Sequence, residues 1–228
     1  MIMAILIVDG KEISVQEGKN LLQACLESGI YIPNLCYIDG MASPSASCRM
    51  CFVEIEGTDK PIPSCTVKTT DGMVVSTHTP LVRRLQRTSL QLLLSVHHVD
   101  CAHCPANKNC ELQRIARFLK VGLKPKQLQQ RLKEPDIDES HPLLAYYPNR
   151  CVLCGKCIIV CRNQRGQGFL TFAKRGIDTV VSSYGVQNER DFPPDKCLAC
   201  VEICPVGAIT LKSNRDAASQ IHGKASPQ

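Results

Sequence analysis

The sequence predicts an α+β protein made of small modules, each closed around clustered cysteines. Three observations point there. Two apolar, β-branched runs, 3–8 and 11–16, meet at Asp9-Gly10, a strong hairpin signal. Two helical patterns carry N-terminal caps, one at Asn20 and one at Thr79-Pro80. The chain also holds 15 cysteines, most of them in short groups whose spacing suits metal ligation.

Composition narrows the class. Hydrophobic residues make up 44 % of the 228, enough for a core, but aromatics are 4 % and Trp is absent. With few large side chains, small modules must draw stability from elsewhere, and metal ligation couples directly to folding. The opening Met-Ile-Met-Ala-Ile-Leu-Ile-Val-Asp lacks a basic leader, and its apolar run ends at Asp9, so it reads as a strand rather than a signal peptide. No apolar run is long enough to span a membrane. A reduced, cytoplasmic setting is expected, and there cysteine clusters read as metal sites rather than disulfides. The formal charge of +6 would suit nucleic acid. An oxidised iron–sulfur cluster held by four cysteines carries about −2, however, so three or four of them return the loaded chain to near neutrality, and no nucleic-acid partner is expected.

In chain order, the hairpin leads into a short helix with apolar Leu21, Leu22, Ala24 and Cys25 and a stop at Gly29; Cys25 falls on its apolar stripe and reads as a packed thiol. Cys36, Cys48, Cys51 and Cys65 follow at spacings x11, x2 and x13. Between them Gly40, Ser43, Pro44, Ser45 and Ser47 are small enough to let backbone amides turn toward sulfur. One Cys-x2-Cys with two isolated partners suits a 2Fe–2S rhombus, with zinc the rival. Strands over Cys51 to Ile55 and Met73 to Ser76 would complete a small mixed sheet. The helix opened by Thr79-Pro80 places Leu81, Leu85, Leu92 and Leu93 at helical spacing.

It runs into His97-His98, then Cys101, Cys104 and Cys110 at spacings x2 and x5, a trio without a near fourth thiol. Spacing alone leaves both histidines open. A short helix over Glu111 to Lys120 ends near Gly122. Residues 123–150, with Pro125, Pro135, Pro142 and Pro148, read as a connector over the surface. Next comes Cys151-Val-Leu-Cys154-Gly-Lys-Cys157-Ile-Ile-Val-Cys161. Three cysteines at x2, x2 can wrap three corners of an iron–sulfur cube, and Cys204, followed by Pro205, supplies a distant fourth thiolate. A mixed segment from Phe169 to Val181 separates the two. Past Lys212 the tail is expected to be disordered.

No glycine-rich dinucleotide fingerprint, P-loop, catalytic triad or carboxylate pair stands out, and Gly166-Gln-Gly168 is isolated. Hydride or substrate chemistry is expected on another chain; this one is expected to carry electrons.

The order of the three cysteine groups resembles the iron–sulfur subunit family at the head of NADH dehydrogenase (respiratory complex I), in particular the small diaphorase subunit of NAD-linked nickel–iron hydrogenases. The likeness covers about residues 1–212. It implies a β-grasp, ferredoxin-like domain over 1–79 with a 2Fe–2S cluster on Cys36, Cys48, Cys51 and Cys65. It implies a helical segment over 80–122 with a 4Fe–4S cluster on His97, Cys101, Cys104 and Cys110, choosing His97 over His98. After a connector over 123–145, it implies a bacterial-ferredoxin-like domain over 146–212 with a second 4Fe–4S cluster on Cys151, Cys154, Cys157 and Cys204, leaving 213–228 as the tail.

The implied role is a non-catalytic electron-transfer subunit of an NADH-dependent oxidoreductase complex. It would relay single electrons between an NADH- and flavin-binding subunit and a catalytic partner such as a nickel–iron hydrogenase. The chain ends where the complex I subunit continues, which favours the short diaphorase form. A formate dehydrogenase or other low-potential reductase is the alternative acceptor, and a zinc-binding scaffold the alternative class. Cys161, Cys197 and Cys200 remain. They fill three of four places of a further ferredoxin-type site, where relatives with two cubes carry a cysteine at the position of Pro194. A third cubane completed by Asp195 or a non-protein ligand, or a 3Fe–4S form, is favoured there over three remnant thiols packed in the core.

Overall fold

The computed structural model describes residues 2–41, 43–124, 128–165, 169–184 and 194–212, with the backbone alone at 164–165 and 194–196. The chain forms two compact units: Met1–Ser95 with Leu112–Leu128, and Val96–Glu111 with Gln129–Gln228.

The first unit is organised by the expected hairpin. Strands β1 (Met3–Val8) and β2 (Lys11–Gln16) pair antiparallel from Val8↔Lys11 to Met3↔Gln16. Asp9 and Gly10 both adopt positive φ, 52° and 80°, as a two-residue hairpin turn requires. Alternation then buries Ala4, Leu6, Val8, Ile13 and Val15 on one face. The Asp9 carboxylate accepts from the Thr77 N–H and hydroxyl, tying this turn to the end of a later strand. Strands β3 (Phe52–Ile55), β4 (Ile62–Pro63) and β5 (Val74–Ser76) complete a sheet of order β2-β1-β5-β3-β4, with β1 and β5 parallel. The mixed sheet is therefore as expected, with β4 added.

Helix α1 (Leu21–Glu27) lays Leu21, Leu22, Ala24 and Cys25 into the core under this sheet. Burial, with a smaller contribution from the charge of Asp9, pushes the Cys25 thiol up to about 12. It is a packed, inert thiol. The Asn20 side chain caps α1 by accepting from the Gln23 N–H (3.2 Å), and its amide donates to the Cys65 carbonyl.

Helix α2 (Pro80–Leu94) is capped by the Thr79 hydroxyl accepting from the Val82 N–H. Its buried face differs from the expected one. Val82, Gln86, Leu90 and Leu94 face inward, whereas Leu81 and Leu92 are exposed. The stripe is displaced because a polar residue occupies its centre: Gln86 is fully buried and donates to the Phe52 carbonyl (3.2 Å) while accepting from Arg83 (3.0 Å). Helix α3 (Glu111–Leu119) buries Leu112, Ile115, Ala116 and Leu119, and ends at Lys120, whose φ of 53° stops it two residues before Gly122. The segment 80–122 is thus shared out. Both helices pack mainly with the first unit, and the cysteine loop between them lies in the second.

The second unit repeats one motif: strand, helix, strand. Strand β6 (Leu144–Tyr146), helix α4 (Lys156–Arg165) and strand β7 (Leu170–Ala173) form the first copy; strand β8 (Val180–Ser183), helix α5 (Pro194–Glu202) and strand β9 (Ile209–Leu211) form the second. The outer strands β6 and β9 pair with each other, as do the inner strands β7 and β8, both antiparallel. The expected surface connector is corrected here. Strand β6 lies at its end, and Lys133, His141 and Asn149 within it are buried. Three apolar residues among prolines were too short a run to read as a strand. The tail beyond Lys212 and the Gly166-Gln-Gly168 stretch lie outside the described residues.

Asn20→Ala removes the cap of α1 and leaves the buried Cys65 carbonyl without its donor. It is expected to cost about 1–3 kcal/mol, read as a lower denaturant midpoint at unchanged slope.

Candidate metal centres

In the first unit Cys36, Cys48, Cys51 and Cys65 are all buried. Cys51 directly precedes β3. Cys65 sits in a 3-10 turn, Ser64–Thr66, whose Ser64 N–H and hydroxyl both donate to the Cys51 carbonyl, at 2.8 and 2.9 Å. Ala46 and Arg49, which flank Cys48, have φ of 48° and 53°. These are left-handed turns at non-glycine residues, the kind of backbone that gathers N–H groups on one side. The sulfurs form two close pairs: Cys36 and Cys48 are 3.5 Å apart, and the Cys51 and Cys65 thiols are hydrogen-bonded. Hydrogen bonds, foremost from Cys48 and then from Ser47 and Ser45, hold the Cys36 thiol down near 5 against its burial. Its partner Cys48 is pushed up by that same bond and by burial. Among the described residues no three His, Cys, Asp or Glu converge tightly enough to hold a single ion. Two close pairs suit two irons with two terminal thiolates each, whereas a tetrahedral zinc needs all four sulfurs at about 2.3 Å from one point.

The second group lies in the loop before α3. Turn bonds Cys104 N–H to Cys101 O (3.3 Å), Asn107 N–H to Cys104 O (3.0 Å) and Asn109 N–H to Ala106 O (3.0 Å) coil Cys101, Cys104 and Cys110 into one loop. The two upstream histidines separate cleanly. His98 is exposed, and its N–H donates to the Asn149 carbonyl (2.7 Å). His97 turns inward, and its buried Nδ1 has no hydrogen-bond partner. Burial pushes its pKa down to about 4, against the Arg150 backbone, so the imidazole is neutral at physiological pH. An orphaned, neutral ring nitrogen is what a metal ligand must offer.

In the third group the loop from Cys151 reaches α4 through left-handed Leu153 (φ 51°) and Gly155 (φ 74°). Backbone amides then point at sulfur: Leu153 N–H at Cys151 Sγ (3.4 Å), Ala208 N–H at Cys204 Sγ (3.3 Å), and Lys156 N–H at Cys154. The four thiols lie within one another's electrostatic reach. Burial raises Cys151, Cys154 and Cys157, Cys154 to about 12, which favours the protonated thiols in the absence of a metal. Two groups that the sequence did not single out act on Cys151: the Tyr146 hydroxyl, hydrogen-bonded to its sulfur, and the side chain of Lys133, within electrostatic reach. Nothing in a polar, proline-rich stretch marks either residue beforehand.

Cys161, Cys197 and Cys200 converge in the core between α4 and α5, with Cys200 hydrogen-bonded to Cys161. The side chain of Asp195, the expected fourth ligand, lies outside the described residues.

The second and third groups adjoin each other within this unit. The turn after Cys204 serves both: Pro205 O accepts from Glu111 N–H (3.0 Å), Val206 O lies 3.9 Å from Cys104 Sγ, and a Cβ on Gly207 would stand 2.8 Å from that of Ala106.

Fold and site together define an iron–sulfur electron carrier. Three family models match in succession: a 2Fe-2S iron-sulfur cluster binding domain over residues 4–80, the NADH-ubiquinone oxidoreductase-G iron-sulfur binding region over 86–123, and the ferredoxin-like domain of NADH-quinone oxidoreductase subunit 3 over 141–210. The chain is 35 % identical over 214 residues to the NADP-reducing hydrogenase subunit HndD of Solidesulfovibrio fructosivorans, an alignment covering 92 % of this chain and 36 % of that protein. It is 33 % identical over 205 residues to the NADH-ubiquinone oxidoreductase 75 kDa subunit of Reclinomonas americana, covering 90 % of this chain and 29 % of that one. It therefore spans about a third of the length of these relatives. Among solved structures, a chain of an NAD+-reducing NiFe-hydrogenase in the H2-reduced state superposes with a TM-score of 0.78 at 27 % identity, covering 98 % of this chain and 90 % of that one. The chain belongs to the iron–sulfur subunit family shared by the complex I head and NAD-linked hydrogenases, and its domains are of the kinds that bind 2Fe–2S and 4Fe–4S clusters. Among the described residues no helix is long and apolar enough to cross a membrane.

Gly207→Ala forces a Cβ into Ala106 at a φ of 64°. It is expected to cost about 1–3 kcal/mol and to raise hydrogen exchange in both the 101–110 loop and the 204–208 turn, whereas the same change at open Gly57 leaves both protected.

Proposed function

We propose that this chain relays single electrons between an NADH-oxidising flavin subunit and a catalytic partner, foremost a NAD-linked nickel–iron hydrogenase. The observation that carries the reading is the shared Cys204–Gly207 turn, which sets two cysteine groups side by side; electron tunnelling falls off exponentially with distance, so adjacency is what a relay needs. Cys36, Cys48, Cys51 and Cys65 would hold one 2Fe–2S cluster. His97, Cys101, Cys104 and Cys110 would hold one 4Fe–4S cluster, and Cys151, Cys154, Cys157 and Cys204 another. Bound clusters supply one-electron redox chemistry with charge spread over several metal ions. The residues of the chain fix the sulfurs, direct backbone N–H groups at them and keep water out, and so set each potential. Cys161, Cys197 and Cys200 would hold a further cluster with a non-cysteine or open fourth corner, because three converging thiols make a poor apolar core and an oxidation liability. The cytoplasm is the setting that suits this chemistry.

The chain purified without oxygen should contain iron and labile sulfide, about 14 iron atoms with the further cluster as a cube or about 10 without it. It should take electrons from NADH only when the flavin subunit is added. NADH-linked dye reduction by the chain alone, or zinc in place of iron, would overturn the reading.

His97 is proposed as the ligand that replaces one thiolate with a neutral imidazole, leaving its cluster about one charge less negative and easier to reduce. His97→Ala should abolish one 4Fe–4S signal in electron paramagnetic resonance. His97→Cys should restore that signal at a lower potential, and His98→Ala should leave it unchanged. The reverse pattern would transfer the role to His98.

A further inference from the structure

Lys133 presents a problem that the metal ligands alone do not pose. The residue is 7 % exposed, and its Nζ is buried with no hydrogen-bond partner. An ammonium taken out of water without a partner costs several kcal/mol, so proteins rarely leave one there. Chance does not put it there either, since its backbone is clamped on both sides. The Lys133 N–H donates to Asn149 Oδ1 (2.7 Å), and Asn149 Nδ2 donates back to the Lys133 carbonyl (2.9 Å) and to Asp136 (2.9 Å). Asn149 is 3 % exposed and stands two residues before Cys151, so the clamp delivers the lysine to the third cysteine group.

Burial pushes the Lys133 amine below its ordinary value; Cys151 when ionised and Asp178 favour its charge, and Lys174 opposes it. Asp178 and Lys174 are exposed and oppose one another, so solvent screens them. Cys151, half-buried, is the least exposed of the three. A second donor is aimed at the same sulfur. The Tyr146 oxygen accepts the Val181 N–H (3.1 Å), so its own proton is left for Cys151. One corner of the third group is thus met by a buried cation and an oriented hydroxyl, while the amides of Lys156 and Ala208 serve Cys154 and Cys204.

We propose that Lys133 is a built-in counter-cation for the cluster at Cys151, Cys154, Cys157 and Cys204, raising its reduction potential by offsetting the negative charge that the cluster carries and gains on reduction. This rests on the assignment of those four cysteines to a 4Fe–4S cluster. Its role is positioning and electrostatic: the lysine binds no iron. The cluster in turn supplies the partner that the ammonium lacks, so loading the site removes the cost of burying the charge.

The test is a potentiometric titration of the anaerobically purified full chain, followed by electron paramagnetic resonance. The signal that disappears in Cys154→Ser is taken as the third cluster, and its presence in the wild type decides the ligand assignment independently. Lys133→Met and Lys133→Gln should keep that signal and make reduction about tenfold less favourable, about 59 mV lower for one electron. Lys133→Arg should hold the wild-type midpoint within half that shift, and the other clusters should not move. Loss of this one cluster in both neutral variants but not in Lys133→Arg would also support the proposal, showing that the charge is needed to hold it. An unchanged midpoint in the neutral variants with iron content intact, or equal loss of the cluster in all three variants, would overturn it.

Discussion

The structure depends on sulfur being kept out of water while it still meets hydrogen-bond donors. Burial drives the thiols of Cys151, Cys154 and Cys157 toward the protonated form, so without metal the core of the second unit is lined with neutral S–H groups. Those are weak partners for a chain with no Trp and few aromatics. Replacing those protons with iron would convert the same sulfurs into anchors and couple loading to folding. The local backbone prepares for this. Left-handed Ala46, Arg49 and Leu153 are expensive conformations for residues with side chains, and each lies next to or near a cysteine. Strain at such positions is accepted where amides must face an anion.

Repetition explains how a distant cysteine reaches the third group. Because β6 pairs with β9 and β7 with β8, the segment after each helix returns beside the opposite half of the motif. Cys204, just after α5, is therefore brought back to the loop that begins with Cys151. By the same exchange Cys161, on α4, is brought to Cys197 and Cys200 on α5. A Cys-x2-Cys-x2-Cys-x3-Cys run thus serves two places, with its last thiol turned away from the first three.

What could be read in the sequence was whatever is decided locally. The hairpin followed from Asp9-Gly10, the start of α1 from Asn20, and the start of α2 from Thr79-Pro80, because turn and cap chemistry act over two to four residues. The cysteine groups were legible because cluster ligands keep short, regular spacings. The buried face of α2 was not, since Gln86 sits at its centre. A glutamine reads as solvent-facing until its distant partner, the Phe52 carbonyl, is in place. Strand β6 was missed for a related reason: Leu144–Tyr146 becomes a strand only by pairing with residues more than sixty positions later. Lys133 looked like one more charge in a polar connector. Its burial depends on Asn149, and neither residue carries a pattern.

That last case alters how the charge of the chain should be understood. A surplus of six positive charges looks like a solvated surface or a polyanion site. Yet at least one cation is neither on the surface nor paired with a carboxylate. Asp136 accepts from the Asn149 amide and forms no ion pair with the lysine. A carboxylate placed on Lys133 would satisfy the ammonium in the empty protein, and would then cancel it once an anionic cluster was bound. Leaving Nζ without a partner keeps its full field available to the site. The same logic separates His97 from His98: the exposed ring is satisfied by solvent, and the buried one keeps Nδ1 free. In both cases an apparent defect in hydrogen bonding is the mark of a group reserved for something the polypeptide itself does not supply.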